Sequence, residues 1–383
     1  MDRSLIWTGA GDDLPLAGRR VGLYDTTLRD GEQTVGVVLD PEAKVEIARA
    51  LDRLGVDRIE AGFPRVSDAD REAFRAIAAD GLGAEVWGFS RAHPTDLEAL
   101  AELGVRFAVV EAPLSDGKLA AYGMTRDVVV GRIVDAVRFA VENGIHVAFF
   151  GVDGSRGEPD FLRRAYGEAI EAGAREVVMV DTIGVATPER AAEMVELGLG
   201  FGVPVHWHGH DDFGLATAAA VAAVRAGAEW VHGTVNGMGE RAGNADLVEC
   251  ALTLSALYGA ETGLDFGVAR EVSALVQRLS GYELEPWKAV VGENLFVRES
   301  GAVASQFHDP PAIEPFSSDL VGAQRRMVLG KKSGLDSIRL KLDELGLDAP
   351  EDRWPELLAQ VKALGARKHG LVSDAEFQEL VGS

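Results

Sequence analysis

VGLYDTTLRDGEQTVGVVLDPEAKVEIARALDRLGVDRIEAGFP, residues 21–64, sets the architecture of this chain. It opens on a short apolar run, VGLYD, that suits a buried strand. After a polar turn it enters PEAKVEIARALDRLG, where apolar residues recur at helical spacing behind a proline start and before a closing glycine. A second strand candidate, near 57–62, follows at once. Strand, loop, helix and strand in this order form one βα unit, because a parallel neighbour is reached only through such a crossover.

Further strand candidates lie near 84–89, 106–111, 146–150, 176–181, 204–208 and 229–235, making eight with those at 21–25 and 57–62. Between them run Ala/Glu/Arg-rich stretches such as TRDVVVGRIVDAVRFAVENG, and a closing phrase recurs: LGV, LGV, NGI, AGA, FGV, AGA. Its glycine suits the left-handed position that ends a helix and turns the chain into the next strand. Eight such units favour a closed (β/α)8 TIM barrel of the α/β class over an open sheet. After about residue 260 the rhythm stops. Pro310, Pro311 and Pro315 mark irregular chain within 285–334, and 335–383 reads as short helices. The expected organisation is an N-terminal extension over 1–20, a catalytic barrel over 21–275 and a small, mostly helical accessory region over 276–383.

The composition agrees with a large globular protein: of 383 residues, 47% are hydrophobic and 26% charged, which sets disorder aside. A net charge of −23 repels phosphate backbones and anionic membrane surfaces. The densest basic pairs, Arg325–Arg326 and Lys331–Lys332, read as solvated faces, so no nucleic-acid or membrane partner is expected. Cys250 is the single cysteine and cannot form an internal disulfide. No signal segment opens the chain and no run nears the ~20 apolar residues of a spanning helix, so the cytoplasm is the expected location.

Barrel enzymes build their sites at the C-terminal ends of the strands. The first strand candidate ends in DTTLRDGEQ, 25–33, and the seventh in HWHGHDD, 206–212. His208 and His210, two residues apart, leave the same face of a strand end, a geometry for two imidazoles on one cation. Asp30 supplies a carboxylate. Two histidines and one aspartate suit Mg²⁺, Mn²⁺, Co²⁺ or Zn²⁺, with positions left open for substrate oxygens. His206 is expected on the opposite face in a structural role. The eighth candidate ends in TVNGMGERAGN, 234–244, whose Gly237, Gly239 and Gly243 permit close backbone approach to a ligand. Asp181 and Thr182 end the sixth, and Glu60 to Pro64 the second. Phe63, Phe89, Phe150 and Trp207 hint at an apolar lining.

These motifs, DTTLRDGEQ, IEAGFP, VDTIGVATP, HGHDDFGLA, NGMGERAGN, EPF and VLGKKSG, resemble the homocitrate synthase and 2-isopropylmalate synthase group of the DRE-TIM metallolyase superfamily over nearly the whole chain. The resemblance implies a Claisen condensation, in which the enolate of acetyl-CoA or another acyl-CoA attacks the keto carbon of a metal-chelated 2-oxo acid. It implies that Asp30, His208 and His210 hold the metal, with Asn244 a further ligand or near neighbour. Arg29 would polarise the ketone oxygen, and Gln33, Glu60 and Thr182 would help hold the oxo acid. Gly237, Gly239, Glu240 and Arg241 are expected at the CoA site. The group also implies a homodimer. Leucine feedback is not expected, because the chain is shorter than members with a leucine-sensing C-terminal domain.

Three positions depart from the pattern. Where the group carries a motif like SxEDxSR with a catalytic glutamate, this chain reads FGVDGSR, with Val152 at that position. SGIH is replaced by SGAV, placing Val303 where an acid–base histidine stands, and SDxH by SDGK, with Lys118. A valine cannot move a proton, so Asp153, Lys118 and His308 become candidates for that work. Three readings follow: an acyltransferase on a 2-oxo acid, a metal-dependent aldolase or lyase that uses no thioester, and a non-catalytic homologue that kept the metal site.

Overall fold

The computed structural model describes residues 2–9, 11 and 13–382. Met1, Ala10 and Asp12, within the expected N-terminal extension, and Ser383 lie outside the described residues. Eight parallel strands close into a barrel in sequence order: β1 (Gly22–Asp25), β2 (Arg58–Glu60), β3 (Glu85–Arg91), β4 (Phe107–Pro113), β5 (His146–Val152), β6 (Glu176–Asp181), β7 (Val205–Gly209) and β8 (Trp230–Gly233). β8 returns to β1 with Gly22 opposite Trp230 and Asp25 opposite Gly233. Gly22 is required there, because a Cβ would come within 2.2 Å of the Trp230 ring.

The helices form for local reasons. α1 (Pro41–Leu54) starts on the Asp40 side chain, which accepts from the Ala43 amide, with Pro41 in its first turn. The closing glycines Gly55, Gly104, Gly144, Gly173, Gly202 and Gly227 all have positive φ, from 67° to 133°. Each recurring phrase of the sequence is therefore a helix end where only glycine is unstrained. Inward side chains of alternate residues fill the barrel: Tyr24, Trp87, Phe89, Val109, Ala148, Phe150, Val178 and Val180 form one buried cluster.

The chain divides into two compact units, Gly11–Glu283 and Met1–Ala10 with Leu284–Ser383. A helix at Ala269–Ser280 belongs with the barrel, so the division falls later than the expected residue 275, and the first ten residues group with the C-terminal unit rather than forming an extension of their own. That unit contains helices at Leu335–Leu345, Trp354–Lys368 and Asp374–Gly382 around Ile338, Leu342, Leu357, Val361 and Phe377. No helix among the described residues is long and apolar enough to cross a membrane.

The N-terminal end of the barrel is closed by an ionic plug. Arg58 gives Glu176 two hydrogen bonds, at 2.6 and 3.2 Å, and its guanidinium lies 3.5 Å from the Trp230 ring centroid. Glu176 also bonds His146 at 2.7 Å and His206 at 2.5 Å. His206 is fully buried, and its other ring nitrogen lies 2.9 Å from His232. It was expected on the face opposite His208; the period of two instead puts it on the same inward face, one layer deeper.

Candidate active site

The turn after β1 folds onto one acceptor. The Thr26 carbonyl receives the amides of Arg29, Asp30 and Gly31 at 3.1, 2.8 and 3.0 Å, which brings two adjacent charged residues to the barrel mouth. Asp30 there meets β7: one ligand atom each from Asp30, His208 and His210 lies within 4.8 Å of the others, and all three residues are buried. Asp30 Oδ2 is 3.2 Å from His208 Nε2 and 3.7 Å from His210 Nε2, yet it accepts no hydrogen bond.

The tautomer explains that gap. His210 Nδ1 donates to the Gly243 carbonyl at 3.2 Å, and burial pushes this imidazole down to about 4, so it is neutral. Its Nε2 lone pair then faces a carboxylate oxygen. Burial alone would raise the Asp30 carboxyl, but Arg29 and His208 hold it well below the usual carboxylate range, so it is an anion. Converging lone pairs and a buried anion call for a cation between them. Asn244, the bridge partner of His210, adds a buried Oδ1 without a hydrogen-bond partner, its Nδ2 being spent on the Met238 carbonyl at 3.0 Å. The donor set fits a divalent metal ion.

Arg29 is fixed beside this cluster. Its Nε is paired with Glu60, its Nη1 lies 3.4 Å from Asp30, and its guanidinium carbon sits 4.2 Å over the Phe89 ring. Nη2 is buried with no hydrogen-bond partner. Glu60 was expected among the substrate-binding residues; it is fully buried, with one oxygen on Arg29 and the other accepting from the Tyr24 hydroxyl at 2.9 Å. Both oxygens are committed, so its work is to hold Arg29.

The other sequence candidates separate. The Thr182 hydroxyl accepts from the Asp153 amide at 2.7 Å, and its own proton remains to be donated. The Asp153 carboxylate is fully buried and taken up by the Ser115 hydroxyl and by Arg156, whose Nε lies 2.9 Å away. With φ at 61°, Asp153 forms a strained turn held by these bonds, which a base would have to break first. Lys118 is half-buried, and its amide caps on Ser115 at 3.1 Å. His308 is exposed in the C-terminal unit, and Gln33 is exposed after β1. Of the apolar candidates, Phe150 lies 5.0 Å from the His208 ring and Phe63 packs edge-on against Phe89, whereas Trp207, with the opposite strand parity to His208, does not share its face.

The glycine-rich loop first shapes the surroundings of the Asp30–His208–His210 cluster. A Cβ on Gly239 would fall 2.3 Å from Asn244 Nδ2, and one on Gly243 2.0 Å from the Gly237 carbonyl. Gly237, Gly239 and Gly243 have φ of 68°, 159° and 88°, so the loop folds tightly around Asn244 and the carbonyl that orients His210. Arg241 bonds Asp212 at 2.9 Å and the Thr182 carbonyl at 2.7 Å; Glu240 is exposed.

One residue of the mouth had no motif to announce it. Glu111, on β4, is a half-buried carboxylate that makes no hydrogen bond or ion pair among the described residues. The only sequence signal was a charge interrupting an apolar strand.

The barrel, residues 20–276, matches the HMGL-like family, and residues 290–369 match the homocitrate synthase post-HMGL domain-like family. The homocitrate synthase AksA of Methanopyrus kandleri is 43% identical over 96% of this chain and 93% of its own length. The (R)-citramalate synthase CimA of Methanocaldococcus jannaschii is 39% identical over 94% of this chain and 74% of its own. The 2-isopropylmalate synthase of the same organism is 40% identical over 94% and 71%. The HMG-CoA lyase structure from Brucella melitensis superimposes with a TM-score of 0.61 over 69% of this chain and all of that one, at 24% identity, which speaks for the barrel fold. A closed eightfold barrel, two histidines and an aspartate at its mouth, and these relatives agree: the chain belongs to the HMGL-like family of enzymes.

Proposed function

We propose that this enzyme is an acyltransferase that joins the acetyl group of acetyl-CoA to the keto carbon of a 2-oxo acid, in the manner of homocitrate, citramalate and 2-isopropylmalate synthases. One observation carries the reading: the buried, unpartnered Nη2 of Arg29 stands beside the Asp30–His208–His210 cluster, so a guanidinium and a cation site meet where a keto oxygen gains charge. The three relatives, each named for a 2-hydroxy acid that contains an acetyl-derived arm, support it.

Asp30, His208 and His210 would hold the metal, with Asn244 beside them. When bound, a divalent ion acts as a Lewis acid on the 2-oxo acid. Arg29, locked by Glu60, donates to the keto oxygen and stabilises the alkoxide that forms there. The Thr182 hydroxyl donates to the substrate carboxylate. Gly237, Gly239, Glu240 and Arg241 are the proposed neighbours of CoA, with Gln33 beside the oxo acid. Mg²⁺, Mn²⁺, Co²⁺ or Zn²⁺ suits the ligand set, and a cytoplasmic homodimer is the proposed state.

The test is thiol release. Protein loaded with each of the four metals is incubated with acetyl-CoA and pyruvate, 2-oxoisovalerate or 2-oxoglutarate, and free CoA is followed. Release that requires an acceptor and vanishes in Asp30→Ala supports the reading. Cleavage of a 2-hydroxy acid with no CoA involvement would replace it with a thioester-independent aldolase, which the apolar Val152 and Val303 favour. No turnover of any kind would leave a binding protein.

A further inference from the structure

Condensation needs a proton removed from the methyl carbon of the thioester, and the usual carboxylate position after β5 is Val152. Other described carboxylates stand at the strand C-termini around the mouth, and the five that could compare with Glu111 are each engaged. Asp25 accepts from the Thr27 amide and hydroxyl, both at 2.8 Å, and Asp181 accepts the amides of Val185 and Ala186 at 3.1 and 2.8 Å. Glu60 holds Arg29, Asp153 holds Arg156, and Asp30 belongs to the metal cluster. Asp30 has ion-pair contacts with Arg29, His208 and His210, so among these described carboxylates Glu111 alone has neither a hydrogen bond nor an ion pair.

Its placement meets the need. On β4, Val109 is part of the inward cluster and Phe107 packs against it, so the strand period turns Glu111 inward as well. Glu111 is paired in register with Phe150, whose ring touches His208, and Pro113 is paired with Val152. Glu111 and Val152 are therefore diagonal neighbours on adjacent strands, about 8 Å apart at Cα from a strand spacing of ~4.8 Å and a rise of ~3.3 Å per residue. Both line one cavity of about 280 Å³ at the ends of β3, β4 and β5, together with Arg91, Pro113, Tyr122 and Arg132. A glutamate one step away thus reaches the space that a glutamate at 152 would have occupied.

We propose that Glu111 is the general base of the condensation, taking over from the strand-five position filled by Val152. The inference rests on the acyl-transfer reading. The carboxylate takes a proton from the thioester methyl group, and the C–H electron pair becomes the enolate. The enolate carbon bonds to the keto carbon, the keto π pair passes to oxygen, the alkoxide takes one proton from solvent, and Glu111 gives its proton back to solvent. Water then cleaves the thioester, giving a carboxylate and the free thiol of CoA. The local electrostatics suit a base near neutrality: burial, with Asp30 and Glu60 adding, pushes the Glu111 carboxyl up to about 7 against the pull of Arg29 and Arg91. Arg29 and Asp30 act on it from the turn after β1, Glu60 from β2 and Arg91 from β3; His93, Tyr122 and Arg132 line the same cavity, and the β5 neighbours Phe150 and Val152 are apolar.

The experiment compares wild-type protein with Glu111→Gln and Glu111→Asp, each metal-loaded, with acetyl-CoA and the acceptor that wild type uses. Three readouts are taken: CoA release, deuterium uptake into the acetyl methyl group in D₂O with an unreactive oxo-acid analogue present, and calorimetric binding of the oxo acid. Glu111→Gln is expected to lower kcat by roughly 10²–10⁴-fold and to abolish methyl exchange, with oxo-acid binding within threefold of wild type. The rising acid limb of the kcat/KM profile for acetyl-CoA disappears in Glu111→Gln and persists in Glu111→Asp. A Glu111→Gln enzyme that keeps its methyl exchange and kcat and only raises the KM of the oxo acid overturns the inference while the acyl-transfer reading stands. A wild-type protein that releases no CoA with any acceptor overturns both.

Discussion

Replacing Arg58 with methionine tests the barrel floor and needs no knowledge of the substrate. Arg58 is 8% exposed, makes two bonds to Glu176 and one at 2.8 Å to Glu85, and is stacked between Trp87 and Trp230, 4.6 and 3.5 Å from their centroids. Methionine refills most of the volume but leaves Glu176, which is 4% exposed, without its guanidinium partner and with only His146 and His206 beside it. Breaking one side of a buried ion pair costs about 3–5 kcal/mol, or roughly 6–15 °C of melting temperature at about 2–3 °C per kcal/mol for a barrel of this size. The double variant Arg58→Met/Glu176→Leu removes both charges and recovers more than half of the loss, because the stranded carboxylate is gone.

The pH dependence has a definite sign. Burial would raise Glu176, but His146, His206 and Arg58 hold it well below the usual carboxylate range. A depressed acid contributes stability that is present above its unfolded value and is lost as pH falls. Without Arg58 the carboxyl rises and protonates sooner, so the variant's deficit is largest at pH 7 and narrows toward pH 4. Thermal melts of single and double variants across that range are the assay. A loss below 1 kcal/mol for Arg58→Met, or a double variant no better than the sum of the singles, refutes the account of the plug as a mutually dependent set.

Adding Mn²⁺ or Zn²⁺ to metal-free protein raises the melting temperature in a concentration-dependent way, and Asp30→Asn loses most of that rise; an equal rise in the variant would place the ion elsewhere. Glu60→Gln removes a charged bond to Arg29 worth about 1.5–3 kcal/mol, so CoA release falls by roughly 10–100-fold. Unchanged turnover in Glu60→Gln would show that Arg29 needs no such anchor. Gly243→Ala, with its Cβ 2.0 Å from the Gly237 carbonyl, distorts the loop that orients His210 and weakens metal binding by tenfold or more, read by metal titration. Near-normal affinity there would mean that the loop yields without cost.

What could be read in the sequence was local and periodic. Helix closings at Gly55 or Gly144 and the alternation of strands with amphipathic helices rest on spacing within one unit, and the fold's eightfold closure follows from their number. Asp30, His208 and His210 were legible because a histidine pair two residues apart needs only a strand end to converge. The tertiary structure decided the rest, because burial and hydrogen-bond partners come from residues distant in the chain. Glu60 proved to be spoken for by Arg29 and Tyr24, 31 and 36 residues away, and Asp153 by Ser115, 38 residues away. Glu111 stands out only once its neighbours on β3 and β5 are in place and every other carboxylate around it has a partner. A side chain's chemistry is written in its type, but whether its lone pairs are free depends on what the fold brings to it.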